Sequence, residues 1–239
     1  ITVGADHKKK VLMHPLLNPL FSILDPEYTF TVSEYHTMAG VADILCHLME
    51  LYFAPESGTN VQDRMNEGVM KAVIEDAPKL LVDSRDYDAR ANIIWASSMA
   101  LAGFQFGLGK KALSFPLHGM GHEFSSMYDM THGVTLALLT PAWMRYSMAA
   151  APQHMPIFAR FARNVFGIRE VDDAIAAEAG VAALEVFYRV IKMPANLREA
   201  GASEADLEII ATKSVEEGEL GTLAVIGKDE ALQIMRAAF

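Results

Sequence analysis

Cysteine occurs once in the 239 residues, at Cys46, so no disulfide can form within them, and a reducing, cytoplasmic setting is expected. Half the residues (51%) are hydrophobic, yet no run approaches the ~18 consecutive apolar residues that a membrane span requires. The opening ITVGADHKKK lacks the apolar stretch of a signal peptide. Cations are scarce. The formal charge is −10, with no basic stripe, which argues against a nucleic-acid partner or an anionic membrane surface. The familiar catalytic strings are missing too. There is no GxGxxG, Walker or GxSxG motif, and HExxH fails because His122-Glu123 is followed by Phe-Ser-Ser. No repeat of 20–50 residues appears. The 14 methionines are expected to fill gaps in the core.

What is present is helix. Residues 1–30 read as irregular, with β-prone pieces at Ile1–Val3 and Phe21–Leu24 interrupted by Pro15, Pro19 and Pro26. From Thr31 the pattern changes. Thr31-Val32-Ser33-Glu34 fits a capping box, and a helix apolar almost all round is expected to about Ala54. A second helix runs to about Val82, kinked or split by Pro78. A third starts at Asp86 or Asp88 and ends near Gly107 and Gly109. A helix from about His118 to Met127 is followed by a turn, Thr131 as the next N-cap, and a helix with a kink at Pro141. Amphipathic helices near 155–166, 170–191, 203–218 and 228–238 complete a mainly α bundle of eight or nine elements.

Two segments carry the chemistry. Asp43 and His47 are four residues apart in AGVADILCHLMELYF, one helical turn, so both leave the same face. His118, His122 and His132 lie within LHGMGHEFSSMYDMTHGVTLALLTP. A carboxylate in the apolar setting of Val41, Ile44, Leu45, Leu48 and Met49 needs a partner or a metal, and no Lys or Arg occurs between Lys10 and Arg64. One carboxylate with imidazoles from separate segments suits a divalent transition metal. The alternative is a buried Asp–His hydrogen-bonded pair. Spacing leaves open which of the three later histidines is spare, and the spare one would suit a proton carrier. His36 lies two turns before Asp43, too far for a ligand. His7, His14 and His154 carry no assigned role. Cys46 points about 100° away from His47 and reads as a small buried hydrophobe. The glycines in His118-Gly-Met-Gly-His122 have no strand before them and do not read as a phosphate cradle.

At these residues the chain resembles the iron-containing (group III) alcohol dehydrogenases, specifically their C-terminal, all-helical domain in a dehydroquinate-synthase-like fold. ILDPEYT with AGVADILCHLMELYF, the His-rich stretch with its 14-residue separation of His118 and His132, MPANLREAG, and the closing GKDEALQIMRAAF carry the resemblance. The YDMTHGV…LLTPAWMRY wording is closest to the butanol-dehydrogenase-like branch, which prefers NADP. The resemblance implies Asp43, His47, His118 and His132 as ligands of Fe(II) or Zn(II), with His122 as the extra histidine beside the site. It implies reversible hydride transfer between an alcohol or aldehyde and NAD(P), with the metal as Lewis acid and His122 relaying a proton. Phe104, Phe106 and Phe124 would line a substrate pocket or serve as ordinary core.

The family's Rossmann-like N-terminal domain has no counterpart here. The expectation is therefore a fragment, with residues 1–30 a strand remnant of the interdomain region and 31–239 the metal-binding domain. Such a fragment should be inactive alone and should expose an apolar face that favours a homo-oligomer. Two rivals stand beside this reading: a non-catalytic helical interaction domain, and a metal-dependent lyase or hydrolase of the same superfold.

Overall fold

A computed structural model of the chain describes residues 2–3, 8–9, 14–55, 58–101, 115–221 and 223–239. Ten α-helices dominate the described residues. Among the described residues, strand is limited to an antiparallel pair, Thr2–Val3 with Lys8–Lys9, and one bridge between Leu220 and Ile226. The β-prone Phe21–Leu24 forms no strand. It lies between short 3-10 turns at Pro15–Leu17 and Pro26–Thr29 and has no partner strand among the described residues to complete its hydrogen bonds. No helix among the described residues is long and apolar enough to cross a membrane.

Helix α1 (Glu34–Tyr52) starts later than the capping box at Thr31 suggests. Its cap is Ser33, whose hydroxyl accepts from the His36 N–H at 3.3 Å. The reason is local. The turn at Pro26–Thr29 continues through Phe30 N–H to Glu27 O and Val32 N–H to Thr29 O, so the chain is free to start a helix only at Ser33. The expected break at Pro78 is found: α2 (Asn60–Asp76) stops before it and the short α3 (Lys79–Val82) follows. Of the two possible caps for α4 (Tyr87–Leu101), Asp86 serves, accepting from the Ala89 N–H at 3.0 Å. The expected end of that helix, with Phe104 and Phe106, lies outside the described residues. Helix α5 spans Pro116–Tyr128, and α6 spans His132–Ala150, running through Pro141 without a break. The chain closes with α7 (Met155–Phe166), α8 (Asp173–Val190), α9 (Leu207–Ser214) and α10 (Lys228–Ala237).

The core is aromatic at one end. Phe53, just past α1, stacks on Phe158 of α7 with ring centroids 4.5 Å apart, and meets Phe161 and Trp143 edge-on. Below it, Arg160 of α7 donates to the Tyr52 hydroxyl at 2.8 Å and to Asp63 of α2 at 2.6 Å, and Tyr52 donates to Glu67 at 2.7 Å. This polar seam ties α7, α2 and the end of α1 together. Phe124 is fully buried in the core.

Close approach at small residues brings the other helices together. A Cβ on Gly133, the second residue of α6, would stand 1.8 Å from the Ala39 carbonyl oxygen of α1. Gly121 of α5 lies against Thr135 and Leu136 of α6, and Gly180 of α8 against Ala162 of α7. The glycines of His118-Gly-Met-Gly-His122 are therefore packing residues inside a helix.

Candidate metal centre

Helix α1 is buried almost completely. From Thr37 to Tyr52, only Gly40, Asp43 and His47 are not buried. Their spacing of three and four residues makes a single stripe, the only face α1 turns outward over that stretch. Asp43 thus differs from the expectation of a buried carboxylate: 32% of its side chain is exposed, although its Oδ1 atom is buried.

Three imidazoles surround that atom. His47 comes from the same helix, His118 from the first turn of α5, and His132 from the first residue of α6. Their Nε2 atoms stand 3.4, 3.6 and 3.9 Å from Asp43 Oδ1. The Nε2 atoms of His47 and His118 are 3.1 Å apart. The donor atoms of Asp43, His118 and His132 all lie within 4.8 Å of one another. Yet Asp43 Oδ1 has no hydrogen-bond partner. Four donors about 2.1 Å from one ion in a tetrahedron stand about 3.4 Å from each other, close to the spacing found here. The donor set of one carboxylate and three imidazoles suits a divalent transition metal, and the orphaned oxygen marks where its charge would fall.

The electrostatics agree. Burial works against the Asp43 carboxylate, but the ring of imidazoles, His118 foremost, holds its pKa below the ordinary value. Burial and the neighbouring His118 push His47 down to about 4. Burial also disfavours a charged His118, but its contacts with Asp43 and Glu50 outweigh that and lift it to about 9.

His122, a turn after His118, is half-buried. Its ring stacks on that of His132 with centroids 4.7 Å apart and lies 6.0 Å from that of His118. A cleft of about 260 Å³ lined by His122, Gly119, Glu123, Lys213 and Leu220 opens beside it. His36 is exposed on α1 and belongs to no such cluster. Cys46 is buried, as expected of it.

The sequence reading missed Glu50. Its side chain is fully buried. Oε2 is in short hydrogen-bond contact with His118 Nδ1, Oε1 accepts from the Leu117 N–H at 2.7 Å, and Cys46 Sγ lies 3.7 Å from Oε2. Glu50 follows Asp43 by seven residues, two helical turns, in an otherwise apolar stretch, and that isolation was a usable signal.

Residues 37–239 match the family described as Fe-containing alcohol dehydrogenase family, C-terminal. The chain belongs to the iron-containing alcohol dehydrogenase family. It is 39% identical over 235 residues to NADH-dependent butanol dehydrogenase B of Clostridium acetobutylicum, covering 96% of this chain and 59% of that protein. It is 32% identical over 225 residues to the NADPH-dependent aldehyde reductase YqhD of Escherichia coli, covering 93% of this chain and 57% of that protein. The crystal structure of NADH-dependent butanol dehydrogenase A from Thermotoga maritima superposes with a TM-score of 0.91 at 28% identity, over 100% of this chain and 61% of that one. The chain therefore spans about three fifths of the length of these relatives. As a member of this family it has the mainly helical C-terminal fold that its sequence predicts.

Proposed function

We propose that this chain supplies the metal-binding part of a nicotinamide-dependent alcohol dehydrogenase, with residues 31–239 as the metal-binding domain. The observation that carries the reading is Asp43 Oδ1, orphaned among three imidazole Nε2 atoms. Asp43, His47, His118 and His132 would hold Fe(II) or Zn(II). A divalent ion there supplies Lewis-acid polarisation of an alcohol or carbonyl oxygen, and NAD(P) the hydride chemistry. The chain's own residues do the rest. Asp43 provides the negative charge, and the three rings fix the direction of approach. His122 is half-buried beside the cleft, which suits it to carry a proton between the site and solvent. Primary alcohols and aldehydes are the proposed substrates, as the names of the relatives indicate for those proteins. A cytoplasmic location belongs to the same proposal, supported by the lone buried Cys46.

The test uses cobalt as a coloured substitute for the native ion. The protein should bind one Co(II) per chain, and butan-1-ol should shift its visible absorption bands. Failure to bind cobalt, or bands indifferent to alcohol, would overturn the reading. Catalysis is then assayed as metal-dependent reduction of NAD⁺ or NADP⁺ by butan-1-ol. The assay is run in the presence of the part of butanol dehydrogenase B that this chain does not cover. A metal-bound, alcohol-responsive protein that transfers no hydride there would favour the lyase or hydrolase reading.

Self-association is part of the proposal as well. Leu16, Leu20, Phe21 and Ile23 are each at least 79% exposed in one short segment, an unusual concentration of apolar surface. Sedimentation at high protein concentration should show a dimer or larger species, and a single monomer boundary would refute this.

A further inference from the structure

We infer that Glu50 is a positioning residue for the metal site, holding His118 with its proton on Nδ1 so that the Nε2 lone pair faces the ion. The inference rests on the ligand reading proposed above and adds a residue that no comparison assigns.

Three observations carry it. First, among the described residues, each hydrogen-bond partner of Glu50 is a group that can donate. The Leu117 N–H reaches Oε1, and His118 Nδ1 and the Cys46 thiol reach Oε2. Opposite a carboxylate oxygen at hydrogen-bond distance, the ring nitrogen must carry a proton. A neutral imidazole with Nδ1–H has its lone pair on Nε2, the atom that faces Asp43 Oδ1 and His47 Nε2.

Second, Glu50 does two jobs with its two oxygens. Leu117 lies in the first turn of α5, where backbone N–H groups have no partner within the helix. Phe115, in the cap position, offers no side-chain acceptor. The Glu50 carboxylate, from a different helix, takes that place. The same group that caps α5 therefore sets the rotation of the ring one residue later, and His118 is held relative to α1, which carries Asp43 and His47.

Third, the obvious rival is a second ion held by Cys46, Glu50 and His118, whose donor atoms also cluster within 4.8 Å. Glu50 Oε2 and His118 Nδ1 are in direct hydrogen-bond contact. A ring nitrogen that donates its proton to Glu50 has no lone pair left for an ion, and Cys46→Ala tests the rival directly.

The test compares Zn(II) affinities, by competition with a chromophoric chelator, for the wild-type protein, Glu50→Gln, Cys46→Ala and Asp43→Ala. A glutamine in place of Glu50 keeps the size but has one acceptor for two N–H donors, so its amide group must face one of them donor to donor. Glu50→Gln should bind Zn(II) about 10- to 100-fold more weakly while keeping one ion per chain. Cys46→Ala, which leaves the His118 contact intact, should bind as the wild type does. Unchanged affinity in Glu50→Gln, with Asp43→Ala unable to bind, overturns the inference and leaves the ligand reading standing. Wild-type affinity in Asp43→Ala overturns the ligand reading itself. A measurement that needs no variant guards against misfolding. Nitrogen-15 NMR of the zinc-loaded wild type should show His118 protonated at Nδ1 and coordinated through Nε2. The opposite tautomer overturns the inference.

Discussion

Asp43→Ala should leave the protein without stoichiometric divalent metal, with an affinity loss of more than ~100-fold. The estimate starts from the 10–100-fold cost of losing an outer partner of a metal ligand, since removing a ligand outright costs more. The geometry says why Asp43 matters most. It is the one anionic donor in the cluster, and the Nε2 atoms of all three imidazoles stand within 3.9 Å of its Oδ1. Without it, three imidazoles remain, each of which must shed any proton before it can bind, and no anionic donor touches the ion. The loss shows in stability as well as in composition. An ion at 100 times its dissociation constant stabilises the folded state by about 2.7 kcal/mol. Adding Zn(II) to the metal-free wild type should therefore raise the melting temperature, and EDTA should reverse the rise. In Asp43→Ala the melting temperature should ignore both. One ion per chain in the purified variant, by elemental analysis, is the result that defeats the prediction.

Gly133→Ala should cost about 3 kcal/mol, at the upper end for overpacking, because the added carbon meets backbone rather than a side chain that can swing away. It would lie 1.8 Å from the Ala39 oxygen and 2.6 Å from the Ala39 carbonyl carbon. Helices α1 and α6 must separate, or the first turn of α6 must unwind. For a protein of this size the melting temperature should fall by roughly 10 °C. Either response also moves His132, the residue before Gly133, away from Asp43, so the affinity for Zn(II) should fall with the stability. Gly68→Ala is the matched control. Gly68 lies within α2, and a Cβ there would meet nothing within 4 Å. That substitution should be stabilising by about 0.5–1 kcal/mol, the ordinary preference of a helix interior for alanine. Two Gly→Ala changes of opposite sign would separate contact from propensity. A Gly133→Ala protein with wild-type melting temperature would mean that the two helices can part at little cost.

Local chemistry wrote much of this protein into its sequence. Helix is decided by periodicity and by breaks, both of which act over a few residues. The split at Pro78, the cap at Asp86 and the span Met155–Phe166 were all readable for that reason. The same holds for half of the centre. A four-residue interval fixes Asp43 and His47 on one face of α1 wherever that helix goes, and the closeness of His118 to His132 in the chain limits how far apart they can be. Tertiary packing decided the rest. Ser33 rather than Thr31 caps α1 because the preceding turn runs on into its start. Asp43 is partly open and Glu50 is buried although both lie on one face of α1, because Glu50, two turns further along, sits against Leu117 and His118 of α5. Glu50 finds Leu117 and His118 across 67 and 68 residues of chain, and Gly133 meets Ala39 across another long interval. No periodicity carries such pairings. They depend on how closely two helices approach and on the rotation of each about its axis, and both are set by the packing of the whole core.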